Sequence, residues 1–178
     1  MRTRRILALS GSLRAVSSNT AVLRAARALA PENIEIVLYG GLGDLPLFNP
    51  DLDGEGAILP PPVADLRAQI GAADGLLFCS PEYAHGVPGA MKNALDWLVS
   101  GSEMVGKPVA SINAAPWSTL AQASLLETLR VMSTKVVTEA SIALPVQGGR
   151  LDEEKILADP AISQALRSAV EALVRAIE

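Results

Sequence analysis

The first residues suited to chemistry follow a short apolar segment near the start of the chain. Residues 6–9 predict a β-strand, and the loop behind them carries Gly11, Arg14 and several hydroxyl side chains. Apolar spacing at Val22, Ala25 and Leu29 predicts a helix directly after this loop. Glycine admits a close ligand, and both arginine and a helix N-terminus attract anions. The sequence therefore predicts a phosphate-binding loop with these candidate ligands: Ser10, Ser12, Arg14, Ser17, Ser18 and Asn19.

This loop matches neither of the two best-known phosphate motifs. No G-x-x-x-x-G-K-[ST] segment occurs, and residues 40–43 lack the last glycine of G-x-G-x-x-G. ATP hydrolysis and direct Rossmann-type dinucleotide binding are therefore disfavoured. A plainer alternative stays open, in which Ser17 and Ser18 only cap the helix and Arg14 lies in solvent.

A second polar segment, residues 80–98, follows a nearly all-apolar strand at 75–79. Two prolines and two glycines stiffen its first half, and open α/β sheets bind ligands at the carboxyl ends of their strands. A flat Tyr83 and exposed backbone N–H groups would suit the edge of a planar heterocycle. His85 is the only histidine. Because the sequence has no second histidine and no carboxylate pair at ligand spacing, we expect His85 to be a loop residue near the site and not a general base or a metal ligand.

The bulk properties favour one domain over residues 1–178. A hydrophobic fraction of 49% suits a compact α/β protein, and a net charge of −4 argues against a nucleic-acid binder. The single cysteine, Cys79, cannot form an internal disulfide, and we expect it to be a small core residue. No segment reaches transmembrane length. The sequence thus predicts a soluble, cytoplasmic protein that does not bind membranes.

The elements that position these segments alternate along the chain. Strands are predicted at 6–9, 34–38, 75–79, 107–113 and 136–138, with helices between them and a final helix after Asp159-Pro160, which implies a parallel sheet. One of these helices has Leu126, Leu129 and Met132 on one face. Residues 39–60 form a long loop, which we expect to cover a site or an interface, because Leu45, Leu47 and Phe48 would be costly to leave in water.

Two motifs together resemble the NAD(P)H-dependent FMN reductase family of the flavodoxin-like fold. The first is G-S-L-R-x-x-S-x-N at 11–19; the second is P-E-Y at 81–83, continuing as P-G-x-x-K-N-A-L-D-W at 88–97. Residues 45–51 also resemble that family's loop after the second strand. The resemblance implies a three-layer α/β sandwich whose five-stranded parallel sheet has the order 2-1-3-4-5.

The resemblance also implies roles for individual residues. Ser12, Arg14, Ser17 and Asn19 would bind the FMN phosphate, with Ser10 and Ser18 beside them. The isoalloxazine would be lined by the second segment and by two residues near the end of the fourth strand, although Trp117 suits an interface or lid equally well. The residues concerned are Pro81, Glu82, Tyr83, Ala84, His85, Gly86, Asn113 and Trp117.

The activity implied is hydride transfer from NAD(P)H to bound FMN, followed by two-electron reduction of a quinone or free flavin in ping-pong fashion. No catalytic side chain and no metal are expected. The family usually forms homodimers or homotetramers, so the long loop and the helix at 91–98 are candidate contacts.

Two departures from the family pattern concern the flavin ring. Ala84 and Gly86 stand where many members have Asn and Ser, and residues 117–119 replace a frequent glycine pair. Two other functions stay open: an FMN-binding electron carrier, disfavoured by Arg14 and by the modest net charge, and a flavin-free α/β binding protein.

Overall fold

A computed structural model describes residues 2–54 and 56–177 of the chain. The strands are β1 Arg4–Ser10, β2 Ile34–Leu38, β3 Gly75–Cys79, β4 Pro108–Ile112 and β5 Lys135–Val136. The helices are α1 Ser18–Ala28, α2 Pro61–Ala72, α3 Gly89–Asp96, α4 Leu120–Val131, α5 Glu153–Ala158 and α6 Pro160–Ile177. Within the described ranges, none of these helices combines the length and the apolar character needed to cross a membrane.

The strands form one parallel sheet of order β2-β1-β3-β4-β5, which confirms the predicted architecture. Successive residues of β1 point to opposite faces of the sheet. Ile6 and Ala8 belong to an apolar cluster formed with α1, α5 and α6. Leu7 and Leu9 belong to a second apolar cluster, formed with α2, α3 and α4. Every residue of β3 is buried, as expected for a central parallel strand covered on both faces. The sheet therefore has helical layers on both sides.

This topology brings three loops to one edge of the sheet. Ser10, Cys79 and Ile112 end the neighbouring strands β1, β3 and β4 at their carboxyl ends. Ligands of open α/β sheets bind outside this edge, next to the point where the strand order reverses. The two polar segments of the sequence are the loops that leave β1 and β3 there.

The structure differs from the predicted elements mainly in the last third of the chain. β5 is shorter than predicted, since a 3₁₀ turn already begins at Thr138. Helix α4 buries Leu129 as predicted, and Met132 packs partly buried against the same cluster. Leu125 rather than Leu126 is buried with them, because packing on the sheet selects one of two adjacent helix faces. Helix α5, six residues long, was not predicted. The final helix begins as predicted, with Asp159 accepting the N–H groups of its first turn.

The long loop after β2 is fixed to α3 by polar contacts. Trp97 Nε1 donates to the carbonyl of Pro46 at 2.8 Å, and the N–H of Phe48 donates to Asn93 Oδ1 at 2.8 Å. Leu45 is buried, and the ring of Phe48 meets that of Trp97 edge-on at 5.1 Å. Leu47 is 84% exposed within this chain, so it is not buried in the chain's own core.

Arg67 of α2 joins the far end of the same loop to the end of α3. Its Nη2 donates to Asp53 Oδ1 at 2.7 Å, and its Nε donates to the carbonyl of Trp97 at 3.0 Å. Ser100 Oγ donates to the other oxygen of Asp53 at 2.6 Å. The Arg67 and Asp53 side chains are only 14% and 5% exposed. This ion pair is therefore shielded from water and depends on both partners.

We expect Arg67→Met to lower the free energy of unfolding by about 3 kcal/mol, because a largely buried Asp53 carboxylate loses its cation. Urea denaturation measures this change. The double variant with Asp53→Asn should recover part of the loss. Arg130→Met, which removes an exposed ion pair with Glu127, is the matched control and should cost about 0.5 kcal/mol or less. Equal losses for Arg67→Met and this control would contradict the assigned role of the pair.

Candidate functional site

The loop that follows β1 lies directly against the loop that follows β3. The N–H of Gly11 donates to the carbonyl of Cys79 at 2.9 Å. A Cβ atom on Gly11 would lie 2.1 Å from Ser80 Oγ and 2.8 Å from Ser80 Cβ, so no larger residue fits without displacing the second loop. Gly11 thus allows the two polar segments to meet.

The first loop arranges its polar groups around the start of α1. Ser17 is the N-cap, and its Oγ accepts from the N–H of Thr20 at 3.4 Å. Ser12 Oγ accepts from the N–H of Arg14 at 3.4 Å. The first turn of α1 has no acidic residue, so no carboxylate of the helix itself offsets the partial positive charge at its N-terminus. Together with the Arg14 guanidinium, this end favours an anion.

Both segments line one cavity of about 340 Å³. Its walls include the positive end of α1, two arginines and several hydroxyl groups, and none of its lining residues is acidic. The lining residues are Ser12, Arg14, Val16, Ser17, Ser18, Asn19, Pro81, Tyr83, Gly149 and Arg150. This donor set suits a phosphate ester attached to a planar group that reaches toward Tyr83.

Two of the residues predicted to bind the anion already form side-chain hydrogen bonds within the chain. Ser10 Oγ is 2.9 Å from Thr20 Oγ1, and Ser10 lines a neighbouring cavity on the β2 side of the loop instead of this one. Asn19 does line the cavity, but its Oδ1 accepts from the thiol of Cys79 at 3.3 Å, which leaves Nδ2 as its available donor. Cys79 is fully buried, as predicted, and burial raises the pKa of its thiol far above the usual range.

Gly149 and Arg150 were not predicted as site residues. Arg150 Nη2 donates to the carbonyl of Val16, and the N–H of Leu151 donates to Ser18 Oγ at 3.0 Å. These contacts join parts of the chain that are more than 130 residues apart in sequence. The only sequence signal was a glycine pair directly before a basic residue, which is typical of many surface turns.

The second segment contains a tight turn at 83–86. The N–H of Tyr83 donates to the carbonyl of Gly86 at 3.1 Å, and the N–H of Gly86 donates back at 2.9 Å. Ala84 and His85 have φ values of 49° and 62°, in the left-handed region. This is the geometry of a type I′ turn, which usually selects Asn, Asp or Gly. Within the described residues, the turn leaves the N–H groups of Ala84 and His85 without acceptors.

The carboxylate of Glu82 is bound to the protein rather than directed into the cavity. Its Oε2 accepts from the N–H of Ala121 at 2.8 Å, at the start of α4, and its Oε1 is 3.2 Å from Nδ1 of His85. The hydrogen bond from Ala121 is the main reason that the pKa of Glu82 is lowered, and His85 adds to it. The side chain of His85 is 80% exposed. Glu82 thus fixes its loop to α4 and leaves only backbone groups for a ligand.

Asn113 and Trp117 do not line the cavity. Asn113 is buried, and its Nδ2 donates to the carbonyl of Ser118 at 2.7 Å while its Oδ1 accepts from the N–H of Ala115 at 2.9 Å. It therefore shapes the loop that carries Trp117. The Trp117 side chain is 61% exposed, at the same edge of the sheet. Within the described residues, no three His, Cys, Asp or Glu side chains come together as a metal-binding group.

The chain is similar to known redox proteins over nearly its full length. A family model described as NADPH-dependent FMN reductase matches residues 4–148. An NAD(P)H-dependent FMN reductase from Pseudomonas aeruginosa is 33% identical over 95% of this chain and 92% of the relative. The solved structure of a flavoenzyme NAD(P)H:(acceptor) oxidoreductase from Paracoccus denitrificans has a TM-score of 0.79 and 30% identity, covering 98% of this chain and 97% of that one. A quinone reductase from Escherichia coli is 39% identical over 58% of this chain and 56% of its own length.

Replacing Ala84 with glycine should stabilise the protein by about 0.5 to 1 kcal/mol, because the left-handed conformation strains a residue with a Cβ atom more than it strains glycine. Thermal unfolding measures the change. Ala68→Gly, at an exposed position inside α2, is the matched control and should destabilise by about 1 kcal/mol. Destabilisation by both substitutions would show that the turn is not strained at Ala84.

The lowered pKa of Glu82 predicts a pH-dependent contribution to stability. Its carboxylate is favoured in the folded state, so its contribution is complete above the ordinary pKa of 4.5 and is lost as the pH falls through the lower folded value. Glu82→Gln should therefore lower the melting temperature at pH 7, and the gap to the wild type should narrow as the pH falls below 4.5. Melting curves over this pH range test the assignment. A gap that stays constant would contradict it.

Proposed function

The chain belongs to the NADPH-dependent FMN reductase family, and from this we propose that it transfers a hydride from NAD(P)H to bound FMN and then two electrons to a quinone or free flavin. The observation that carries the proposal is the single cavity shared by the loops after β1 and β3. One end of this cavity suits a phosphate and the other a flat ring. FMN has both parts, and when bound it supplies the hydride-accepting ring.

At the phosphate end, we propose that Ser12, Arg14, Ser17, Ser18 and Asn19 bind the FMN phosphate. All five line the cavity, and the positive end of α1 adds to the charge of Arg14. Ser12, Ser17 and Asn19 are already held by hydrogen bonds within the chain, so little ordering is needed when an anion binds. Ser10 is a supporting residue in this proposal, because its hydroxyl contacts Thr20.

At the ring end, the segment from Pro81 to Gly86 would hold the edge of the isoalloxazine through its backbone. Cross-turn hydrogen bonds and the contact of Glu82 with α4 keep this segment rigid, so its N–H donors are fixed in advance. Ala84 and His85 contribute N–H groups with no competing acceptor among the described residues. Backbone contacts of this kind do not require the Asn and Ser side chains that many family members carry here.

No protein acid or base is assigned to the hydride step. Glu82 is engaged by α4 and by His85, and His85 is mostly exposed to solvent. Tyr83 lines the cavity and is 52% exposed, and Trp117, at the same edge of the sheet, is 61% exposed. Both leave aromatic surface for a planar substrate. We propose that NAD(P)H and the acceptor occupy this space in turn, as ping-pong kinetics requires. Asn113 would position the loop of Trp117.

A homodimer or homotetramer is part of the proposal. In the long loop after β2, Leu47 is 84% exposed and Ile58 is 95% exposed. Val99, after α3, is 66% exposed. These segments are linked within the chain by the Asp53–Ser100 hydrogen bond. The apolar residues of α3 are buried in the chain's own core, so the loop is the better candidate contact.

A single FMN-binding domain over 1–178 and a cytoplasmic location, in keeping with the free thiol of Cys79, complete the proposal.

The visible spectrum of the purified protein with FMN, before and after anaerobic addition of NADPH, tests this function. We expect flavin bands that bleach rapidly in one two-electron step and return when a quinone is added. Tyr83→Ala should slow this turnover with little change in melting temperature, because half of the Tyr83 side chain is exposed. Bound flavin that NADPH leaves oxidised would instead indicate an electron carrier, and absence of flavin binding would refute the FMN site.

A further inference from the structure

Arg150 lines the same cavity as Arg14, although it lies beyond residues 4–148, which the family model matches. It comes from the segment between β5 and α5. The roles carried over from the family therefore do not include it. Its place in the cavity is a feature of this chain's own C-terminal segment.

The chain holds this arginine in place from both sides. Gly148 and Gly149 have φ values of 127° and 82°, which lets the backbone bend immediately before Arg150. Immediately after it, Leu151 is buried and its N–H donates to Ser18 Oγ at 3.0 Å. Helix α5 then packs on α1, with Ile156 fully buried. The Arg150 backbone is thus attached to the first turn of the helix that faces the anion.

The Arg150 side chain contacts the phosphate-binding loop itself. Its Nη2 donates to the carbonyl of Val16, in the middle of that loop. A guanidinium has five N–H donors, and among the described residues this one has a single protein acceptor. Arg150 therefore has further donors available for a ligand in the cavity, which Ser17 and Ser18 also line.

The charge of a bound phosphate also favours a second cation in the cavity. A phosphate monoester carries a charge of about −1.5 to −2 at neutral pH. Arg14 supplies one positive charge, and a helix N-terminus is equivalent to roughly half a charge. No lining residue is acidic, so the charge of Arg150 is not cancelled within the cavity. Arg150 raises the total from about +1.5 to about +2.5, so that even a phosphate with two full negative charges is neutralised.

We propose that Arg150 binds the FMN phosphate together with Arg14 and makes the site selective for FMN over riboflavin, the same ring system without a phosphate. This inference rests on the proposed function, because it takes FMN as the ligand. A simpler role would be to hold the Val16 carbonyl and so shape the loop. That role needs a hydrogen-bond donor and not a charge, so Arg150→Gln and Arg150→Lys would weaken FMN binding alike, whereas a direct phosphate contact predicts a smaller loss in Arg150→Lys.

Fluorescence titration of FMN and of riboflavin into the wild type and three variants tests the proposal. The variants are Arg150→Gln, Arg150→Lys and the control Arg130→Gln, which removes one exposed charge near the end of α4 remote from the cavity. Losing a charge-assisted contact should raise the Kd for FMN by about tenfold or more in Arg150→Gln. The Kd for riboflavin should change by less than about twofold, because no charged contact is lost.

The remaining comparisons separate the outcomes. Arg150→Lys should keep part of the preference for FMN, since it retains the charge but not the fork of donors. Arg130→Gln should leave both dissociation constants unchanged. An unchanged Kd for FMN in Arg150→Gln, an equal loss for FMN and riboflavin, or equal losses for FMN in Arg150→Gln and Arg150→Lys would overturn the role of Arg150 while leaving the proposed function standing. A wild type that binds no FMN would overturn both.

Discussion

The site depends on the close approach of two loops at the carboxyl edge of the sheet. Gly11 accepts the Ser80 side chain where any Cβ atom would collide with it, and its N–H bonds to the carbonyl that ends β3. Parallel pairing of β1 with β3 brings the ends of these strands together, but only the missing side chain lets the loops touch. The shared cavity follows from that contact, because one loop lines it with Arg14 and several hydroxyl groups and the other lines it with Pro81 and Tyr83.

The polar side chains at this edge are of two kinds. Some are available to a ligand, and others form hydrogen bonds that hold the loops in place. Glu82 and Asn113 belong to the second group: one binds the start of α4 and the other binds its own loop. Their hydrogen bonds hold the backbone rigid, and the N–H groups of Ala84 and His85 remain unused within the described residues. A redox site of this kind needs a bound ring held in one orientation more than it needs reactive side chains.

The long loop after β2 combines firm attachment with exposed apolar surface. Arg67, Asn93 and Trp97 fix it to the rest of the chain through hydrogen bonds to its backbone and to Asp53. Leu47 and Ile58 nevertheless remain exposed. A flexible loop would bury such side chains by folding back on the core, whereas an anchored loop presents them to a partner. The homo-oligomer proposed above would bury this surface.

The sequence by itself determined the order of the strands and of every helix except α5, the parallel sheet and the two polar segments, because hydrophobic periodicity and the positions of Gly and Pro are local properties. It also indicated that Cys79 is a core residue. Only the tertiary structure decided which polar groups remain available: Ser10 contacts Thr20, and Glu82 contacts α4. It alone brought Arg150 to a loop more than 130 residues away. The physical reason is that hydrogen-bond partners distant in sequence are chosen by packing, which no local pattern encodes.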